Sequence, residues 1–307
     1  MLTFITFPSP APTIPMNIPQ RVYLNGQFLP TAAATIPVFD RGFIFGDGVY
    51  EVIPVYGDRL FRLPHHLQRL DMSLAAIGLR PPMDHGQWAQ VLEQVVRENQ
   101  GEGNSDMSVY LQVTRGVAPR DHAYPRDAAP TVFAYAQPLV YPEPAQLQKG
   151  ISAITVPDVR WSRCDIKAIS LLSNVMMRQY ALERGAAEAI LIRDGIMTEG
   201  AASNIFIVTA GKLVTPPKGP YILPGITRDL VVELAHAHGI QCVEVTITEA
   251  ALRTADEVWL TSSTKEIMPI VRIDDKPVGK GQPGPLHGRM HALYQDYKRA
   301  FRTGQVD

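Results

Sequence analysis

Short apolar and aromatic runs separated by turn residues mark the first part of the chain. Residues 22–29 place such runs on both sides of Asn25-Gly26, a dipeptide typical of a tight turn between antiparallel strands. Residues 50–63 repeat the arrangement around a Gly-Asp pair. The pattern therefore predicts two β-hairpins.

The period of the apolar positions then changes to that of a helix. Apolar residues recur every three or four positions over residues 67–77 and again over 88–96, which predicts two amphipathic helices. β-branched and aromatic residues over 108–114 and 131–136 predict two further strands. Because strands, helices and strands follow one another in blocks, the pattern favours an α+β fold over a doubly wound sheet.

The second half of the chain predicts another set of elements. Strands are expected near residues 151–156, 189–193, 204–209, 242–245 and 258–260, and helices over 171–184, 227–238 and 287–302.

Breaks in these patterns suggest how the chain is divided. Residues 138–149 (PLVYPEPAQLQK) interrupt both periods and are interpreted as a linker between a small domain, residues 21–137, and a large domain, residues 150–307. Residues 1–20 contain five prolines and no charged side chain, and they are interpreted as a flexible extension. The prolines interrupt the apolar stretch that a secretory signal requires.

Composition narrows the possible functions. The 307 residues include 29 Lys+Arg and 30 Asp+Glu, a net charge of −1, which removes the electrostatic case for a nucleic-acid or anionic-membrane partner. No apolar run approaches the ~20 residues that span a bilayer. Two cysteines provide neither a disulfide framework nor a structural zinc site, and they suit a reducing, cytoplasmic environment.

The sequence contains no motif for dinucleotide binding, phosphate loops, zinc proteases or serine hydrolases. The lysines give the first indication of a catalytic function. Most lysines adjoin glycine or proline, or lie on the terminal helix as Lys298 does, and are interpreted as solvated. Lys265 is ambiguous. Lys167 lies between Ile166 and Ala168, and partly apolar surroundings favour the neutral amine that forms a Schiff base. A lysine at the end of a strand is the open alternative.

Three other segments are compatible with the same chemistry. Glu199 lies in a small-residue segment, residues 225–228 lead from a loop into a helix, and residues 261–264 are four consecutive hydroxyl residues. A turn acid, a helix cap and solvated hydroxyls are the alternative interpretations. Together with Lys167 they match the requirements of pyridoxal phosphate: an imine-forming amine, a partner for the ring nitrogen and a phosphate site.

At this point the chain resembles a known family. It is similar to the fold-type IV pyridoxal-phosphate-dependent aminotransferases, and among them to the D-amino acid aminotransferases, from about Arg21 to the C-terminus. The resemblance implies an α+β fold with a small N-terminal α/β domain and a larger C-terminal domain with a mixed, β-barrel-like core. The motifs that carry it, in family order, lie at residues 40–42, 45–52, 114–122, 165–167, 198–200, 225–228 and 261–264.

The resemblance also implies a role for individual residues. Lys167 would bind pyridoxal 5′-phosphate as a Schiff base and move the substrate proton, and Glu199 would pair with the ring nitrogen. Leu223 would pack against the cofactor ring. The remaining roles are phosphate binding by Arg69, Ile226, Thr227, Ser262 and Ser263, and binding of the substrate α-carboxylate by Tyr50, Arg120 and His122.

The expected activity is transfer of an amino group between a D-amino acid such as D-alanine and a 2-oxo acid such as 2-oxoglutarate. The enzyme would be a homodimer in which Arg120 and His122 cross the interface. An (R)-selective amine transaminase and a branched-chain aminotransferase are the alternatives within the fold, and a non-catalytic binding protein is a third. Pro54 stands where some relatives have a lysine, so the resemblance leaves open which substrate side chains the enzyme prefers.

Overall fold

A computed structural model describes residues 18–101 and 106–306. Most of the predicted flexible extension, residues 1–17, lies outside the described residues. Within these ranges, none of the helices combines the length and apolarity needed to cross a bilayer.

The N-terminal part of the chain forms an antiparallel sheet with helices. Its elements are β1 (Arg21–Leu24), β2 (Gln27–Pro30), a short 3-10 helix (Thr31–Ala33), α1 (Arg41–Phe45), β3 (Gly48–Tyr56), β4 (Arg59–Leu60), α2 (Leu63–Ala76), α3 (His85–Asn99), β5 (Met107–Thr114) and β6 (Thr131–Pro138). The strand order is β2-β1-β6-β5-β3-β4.

Both predicted hairpins are present, but the second is shorter than expected. Asn25 and Gly26 adopt positive φ between β1 and β2, as the tight turn requires. β4 ends after two residues because Arg62 adopts a left-handed conformation and α2 begins at Leu63, with Pro64 in its first turn. The apolar faces of α2 and α3 pack on the sheet and bury Leu70 and Trp88 completely. Burial of each such side chain contributes about 1.5–3 kcal/mol.

The remainder of the chain contains a second, larger sheet. Its elements are α4 (Pro144–Lys149), β7 (Ile151–Pro157), α5 (Leu172–Glu183), β8 (Glu188–Arg193), β9 (Ile196–Gly200), β10 (Asn204–Thr209), β11 (Lys212–Thr215), α6 (Ile226–Ala237), β12 (Cys242–Glu244), β13 (Ile247–Thr248), α7 (Glu249–Arg253), β14 (Glu257–Ser262), β15 (Glu266–Ile273), β16 (Lys276–Pro277) and α8 (Pro285–Arg302).

This second sheet is mixed and curled. Its order is β12-β11-β10-β14-β15-β7-β8-β9-β13, with parallel pairs at β11–β12, β15–β7 and β7–β8. A tight turn, in which the Gly200 N–H donates to the Ser203 carbonyl at 2.7 Å, brings β9 and β10 together although other strands separate them in the sheet. A Cβ on Gly200 would lie 2.2 Å from Ser203 Oγ, so a side chain at this position would force Ser203 to move.

The segment interpreted as a linker contains a short helix. α4 forms because Pro144 suits the first helical turn and Glu143 and Gln146 make a capping box. The division of the chain into domains at this segment stays a prediction. Beyond β7, residues 158–171 form a loop that reaches the first sheet, where Ala168 bridges Val49. This loop places the candidate site between the two sheets.

Candidate active site

A cavity of about 570 Å³ lies where the loop after β7 meets the first sheet. Side chains from both sheets line it, together with residues from α2, α5 and α6. Most of the residues that the sequence analysis singled out line this one cavity: Tyr50, Arg69, Lys167, Glu199, Leu223, Ile226, Thr227, Ser262 and Ser263.

Lys167 is fixed through its backbone. The Tyr50 N–H donates to the Lys167 carbonyl at 3.0 Å, and the Lys167 N–H donates to Ser73 Oγ at 3.2 Å. Its side chain lies over the Tyr50 ring, with Nζ 4.0 Å from the ring centroid. Its neighbours in the chain, Ile166 and Ala168, are both buried.

Glu199 lies at the end of β9 with its carboxylate buried and fully hydrogen-bonded. Oε2 accepts from Asn204 Nδ2 at 3.0 Å and from the Leu223 N–H at 3.1 Å, and Oε1 pairs with Arg160. Burial raises the pKa of this carboxyl to about 7, although the Arg160 charge opposes the rise. Glu199 is therefore a group that exchanges its proton near neutral pH.

The guanidinium beside Glu199 is shared with a second carboxylate. Arg160 Nε and Nη2 donate to the two oxygens of Asp158 at 2.9 and 3.0 Å. Burial opposes ionisation of Asp158, but Arg160 outweighs it and lowers the pKa of Asp158 to about 2. The sequence analysis missed both residues, because a D-x-R triplet after a strand is not a recognisable motif.

A second anion-binding region lies at the start of α6. Gly225 caps this helix without a side-chain hydrogen bond, so the first N–H groups remain available to a ligand. A Cβ on Gly225 would lie 2.0 Å from Asn204 Oδ1, so a side chain here would displace Asn204. We call this region the phosphate seat and define it by the residues that the sequence analysis assigned to a phosphate: Arg69, Ile226, Thr227, Ser262 and Ser263.

Arg69 is held in the phosphate seat by a buried carboxylate. Its Nε and Nη2 donate to Glu51 at 2.8 and 2.7 Å, and Nη1 donates to the Pro224 carbonyl at 2.8 Å. His66 Nδ1 lies 2.8 Å from Glu51 as well. Burial opposes ionisation of Glu51, but Arg69 and His66 outweigh it and lower its pKa to about 2. Glu51 therefore stays ionised and orients Arg69.

Arg120 and His122 do not line the cavity of their own chain. They lie exposed on the loop between β5 and β6. Both pack against Phe45, with the Arg120 guanidinium 5.3 Å and the His122 ring 5.4 Å from its centroid. The structure thus separates these two predicted residues from the others.

The cavity suits a phosphorylated heteroaromatic aldehyde. Lys167 supplies an amine that can react with the aldehyde, and Glu199 supplies a carboxyl group that can pair with a ring nitrogen. The phosphate seat supplies hydrogen-bond donors for the phosphate dianion. Thr261 Oγ1 is buried in the cavity wall and has no hydrogen-bond partner within the described residues. An unpaired buried hydroxyl is costly, so it also favours a bound polar ligand.

Comparison with known sequences agrees with this chemistry. Residues 48–273 match the family described as Amino-transferase class IV. The chain is 43% identical over 276 residues to a D-alanine aminotransferase of Bacillus licheniformis, an alignment covering 90% of this chain and 96% of that one. It is 39% identical over 280 residues to a D-alanine aminotransferase of Staphylococcus haemolyticus, covering 90% and 97%.

Solved structures with the same fold include branched-chain amino acid aminotransferases. The enzyme from Escherichia coli has a TM-score of 0.82 and 26% identity, with 94% of this chain and 96% of that chain covered. The enzyme from T.th., solved with pyridoxamine 5′-phosphate, has a TM-score of 0.83 and 26% identity, with 92% and 94% covered. These likenesses confirm the fold class predicted from the sequence.

Proposed function

The chain belongs to the class IV aminotransferase family, and from this premise we propose that it transfers an amino group between a D-amino acid and a 2-oxo acid. The proposed substrates are of the D-alanine and 2-oxoglutarate type, and the proposed cofactor is pyridoxal 5′-phosphate. The observation that carries the proposal is a single cavity that presents Lys167, Glu199 and the phosphate seat together. The similarity to D-alanine aminotransferases supports the choice of a D-amino acid.

When bound, the cofactor supplies an aldehyde for the substrate amine and a ring that accepts the electron pair of the broken Cα–H bond. Lys167 Nζ would hold this aldehyde in the resting enzyme, and during turnover it would accept the Cα proton and return it. Glu199 would pair with the ring nitrogen and share a proton with it, which the pKa of about 7 permits. The phosphate seat would hold the phosphate of the cofactor independently of Lys167.

We infer that the substrate α-carboxylate is bound by Tyr50 together with Arg120 and His122 of a second copy in a homodimer. A guanidinium binds a planar carboxylate through two hydrogen bonds. The exposure of Arg120 and His122 supports this arrangement, as does the exposed apolar surface beside them at Phe39 and Phe43. A cytoplasmic location is part of the same proposal, and it is supported by two cysteines that form no disulfide.

Transamination of L-branched-chain amino acids is the second candidate, because the structural neighbours carry that name. The holoenzyme distinguishes the candidates in single half-reactions with D-alanine, L-leucine or an (R)-amine. We expect D-alanine to remove the visible absorbance of the bound cofactor fastest. Faster reaction with L-leucine would establish the second candidate instead.

Replacement of Arg120 tests the α-carboxylate site. Arg120→Ala should lower kcat/KM for D-alanine by roughly ten- to hundredfold, since a charged hydrogen bond is worth about 1.5–3 kcal/mol. A carboxylate-free (R)-amine should react as before. Arg126→Ala, at an exposed position on the same loop, is the matched control and should change neither reaction. Equal losses with both substrates would make Arg120 a structural residue.

Mixed dimers test whether Arg120 acts on the second copy. Neither an Arg120→Ala dimer nor a Lys167→Ala dimer should be fully active. In a heterodimer of the two variants, one cavity keeps Lys167 and receives an intact Arg120 from the other subunit. Activity should therefore return to about one site per heterodimer. If Arg120 served its own chain, mixing would restore nothing.

A further inference from the structure

The cavity has a second cationic region that the proposed mechanism does not use. Lys265 follows the hydroxyl turn after β14, with its backbone N–H donating to Ser262 Oγ at 3.2 Å and its side chain 29% exposed. Arg178 on α5 lines the same cavity and donates to the Ala187 carbonyl. We call Lys265 and Arg178 the distal cation pair.

The ammonium of Lys265 is poorly satisfied by the protein. Its nearest carboxylate oxygen, Glu188 Oε2, lies 3.8 Å away, beyond a good hydrogen bond. That carboxylate is fully buried and already accepts from Ser203 Oγ and from the Ala189 N–H, both at 2.9 Å. Within the described part of the chain, Lys265 Nζ has no hydrogen-bond partner.

The charges around Lys265 favour the binding of one anion. Lys265 and Arg178 carry two positive charges against the single negative charge of Glu188, so the region has a net charge of +1. Burial lowers the pKa of Lys265, and Arg178 lowers it further, whereas Glu188 opposes both. A carboxylate bound here would relieve the repulsion between the cations and complete the hydrogen bonding of Nζ.

The distal cation pair adjoins the phosphate seat through the hydroxyl turn, where Ser262 Oγ accepts from the Lys265 N–H, but the side chains of the two regions face different partners. Arg69 comes from α2 and hydrogen-bonds the segment before α6. Lys265 instead faces Glu188 on β8 and Arg178 on α5. We therefore assign to Lys265 Nζ an anion other than the phosphate, and the binding of pyridoxal 5′-phosphate by Lys265→Gln tests this assignment.

We propose that the distal cation pair binds the second carboxylate of a dicarboxylic substrate, such as 2-oxoglutarate or D-glutamate, with Lys265 Nζ as the hydrogen-bond donor. The inference rests on the proposed transamination, because Tyr50, Arg120 and His122 are assigned to the α-carboxylate. A dicarboxylic substrate then has one anionic group left, and the wall of the same cavity provides the cation for it.

The test is the substrate profile of Lys265→Gln. The variant should raise KM for 2-oxoglutarate and D-glutamate by roughly ten- to hundredfold, while kcat/KM for pyruvate and D-alanine stays within about twofold. Lys265→Arg keeps a cationic donor and should recover most of the loss. Lys276→Gln, at an exposed lysine of the same large sheet, is the control and should match the wild type.

Equilibrium binding gives a readout independent of turnover. Glutarate and butyrate differ by one carboxylate, and only glutarate should bind the Lys265→Gln holoenzyme more weakly, as measured by displacement titration. Weaker binding of pyridoxal 5′-phosphate with unchanged glutarate binding would assign Lys265 to the phosphate and overturn the proposal. Equal losses for mono- and dicarboxylic substrates would also overturn it. A wild type inactive with D-alanine and pyruvate would reject the proposed function itself.

Discussion

Two buried carboxylates of the cavity region are paired with arginines, yet their pKa values move in opposite directions. Glu51 pairs with Arg69 beside the phosphate seat, and its pKa is lowered to about 2. Glu199 pairs with Arg160 at the end of β9, and the pKa of Glu199 is raised to about 7. Both lie almost completely out of solvent. Burial alone therefore does not account for the difference.

The difference lies in how each guanidinium is shared. Among the described residues, Glu51 is the one carboxylate to which Arg69 donates, through two hydrogen bonds, and His66 adds a third contact to Glu51. Arg160 gives two hydrogen bonds to Asp158 and one to Glu199. An arginine with one carboxylate keeps it ionised and rigid, whereas a shared arginine leaves the second carboxylate able to take a proton. The first suits an anchor, and the second suits a partner for a ring nitrogen.

Removal of the Lys167 amine should have the largest effect on activity. Lys167→Ala should abolish turnover and eliminate the borohydride-reducible bond between protein and cofactor, while the phosphate seat still binds the cofactor. Mass spectrometry after reduction and an absorbance titration measure the two properties separately. A covalent adduct on another lysine with near-normal turnover would contradict the role of Lys167.

The ionised carboxylate should contribute strongly to stability. Glu51 has a pKa of about 2 in the folded protein against an ordinary 4.5, which corresponds to about 3 kcal/mol. This contribution is present above pH 4.5 and is lost as the pH falls towards 2. Glu51→Gln should therefore lower the free energy of unfolding by about 3 kcal/mol at pH 7, measured by urea denaturation of the cofactor-free protein.

A matched control isolates the buried pair. Glu93→Gln removes a carboxylate at an exposed position of α3, where the ion pair with Arg97 contributes little. Its free energy of unfolding should stay within about 0.5 kcal/mol of the wild type. Equal effects of Glu51→Gln and Glu93→Gln would remove the basis for the comparison.

These pairs show where sequence patterns stop being informative. Helices α2 and α3 follow from apolar periodicity, and Lys167 and Glu199 follow from motifs that resemble a family. Asp158 and Arg160 acquire their role from contacts with a residue about forty positions away, which no local pattern records.

The same limit applies to Lys298 and to the short strands. The interpretation of Lys298 as a solvated residue is wrong: it is buried on α8, and Nζ donates to Glu266 at 2.6 Å and to Tyr141 at 2.9 Å. The terminal helix was predicted, but not the buried acceptors that its lysine meets. Strand β13 was also missed, because two residues are too few to show a period.

Glu199 should respond to pH with the opposite sign from Glu51. Its folded pKa of about 7 lies above the ordinary 4.5, so stability is greatest below pH 4.5 and is lost as the pH rises through 7. In the cofactor-free protein this loss amounts to about 3 kcal/mol by pH 8. Glu199→Gln lacks the titration, and its unfolding free energy relative to the wild type should rise between pH 5 and pH 8.

The same variant should be a slower enzyme. Without an ionisable partner for the ring nitrogen, Cα–H abstraction should slow by a factor of ten or more, and each factor of ten is about 1.4 kcal/mol of barrier. Stopped-flow half-reactions with D-alanine measure this rate. Wild-type rates in Glu199→Gln would reduce Glu199 to a carboxylate that closes a turn.

The smallest expected effect tests the sharing of Arg160 directly. The negative charge of Asp158 raises the pKa of Glu199 and competes for the same guanidinium. Asp158→Asn should therefore lower the pKa of Glu199 by about one unit, the size of effect that one charged neighbour produces. The pH range over which the cofactor-free protein loses stability should move down by the same amount. Asp165→Asn, in the same loop but paired with Arg163, should leave that range where it is. If the range stays in place or moves up in Asp158→Asn, the opposite pKa values of Glu51 and Glu199 do not arise from the division of the guanidinium.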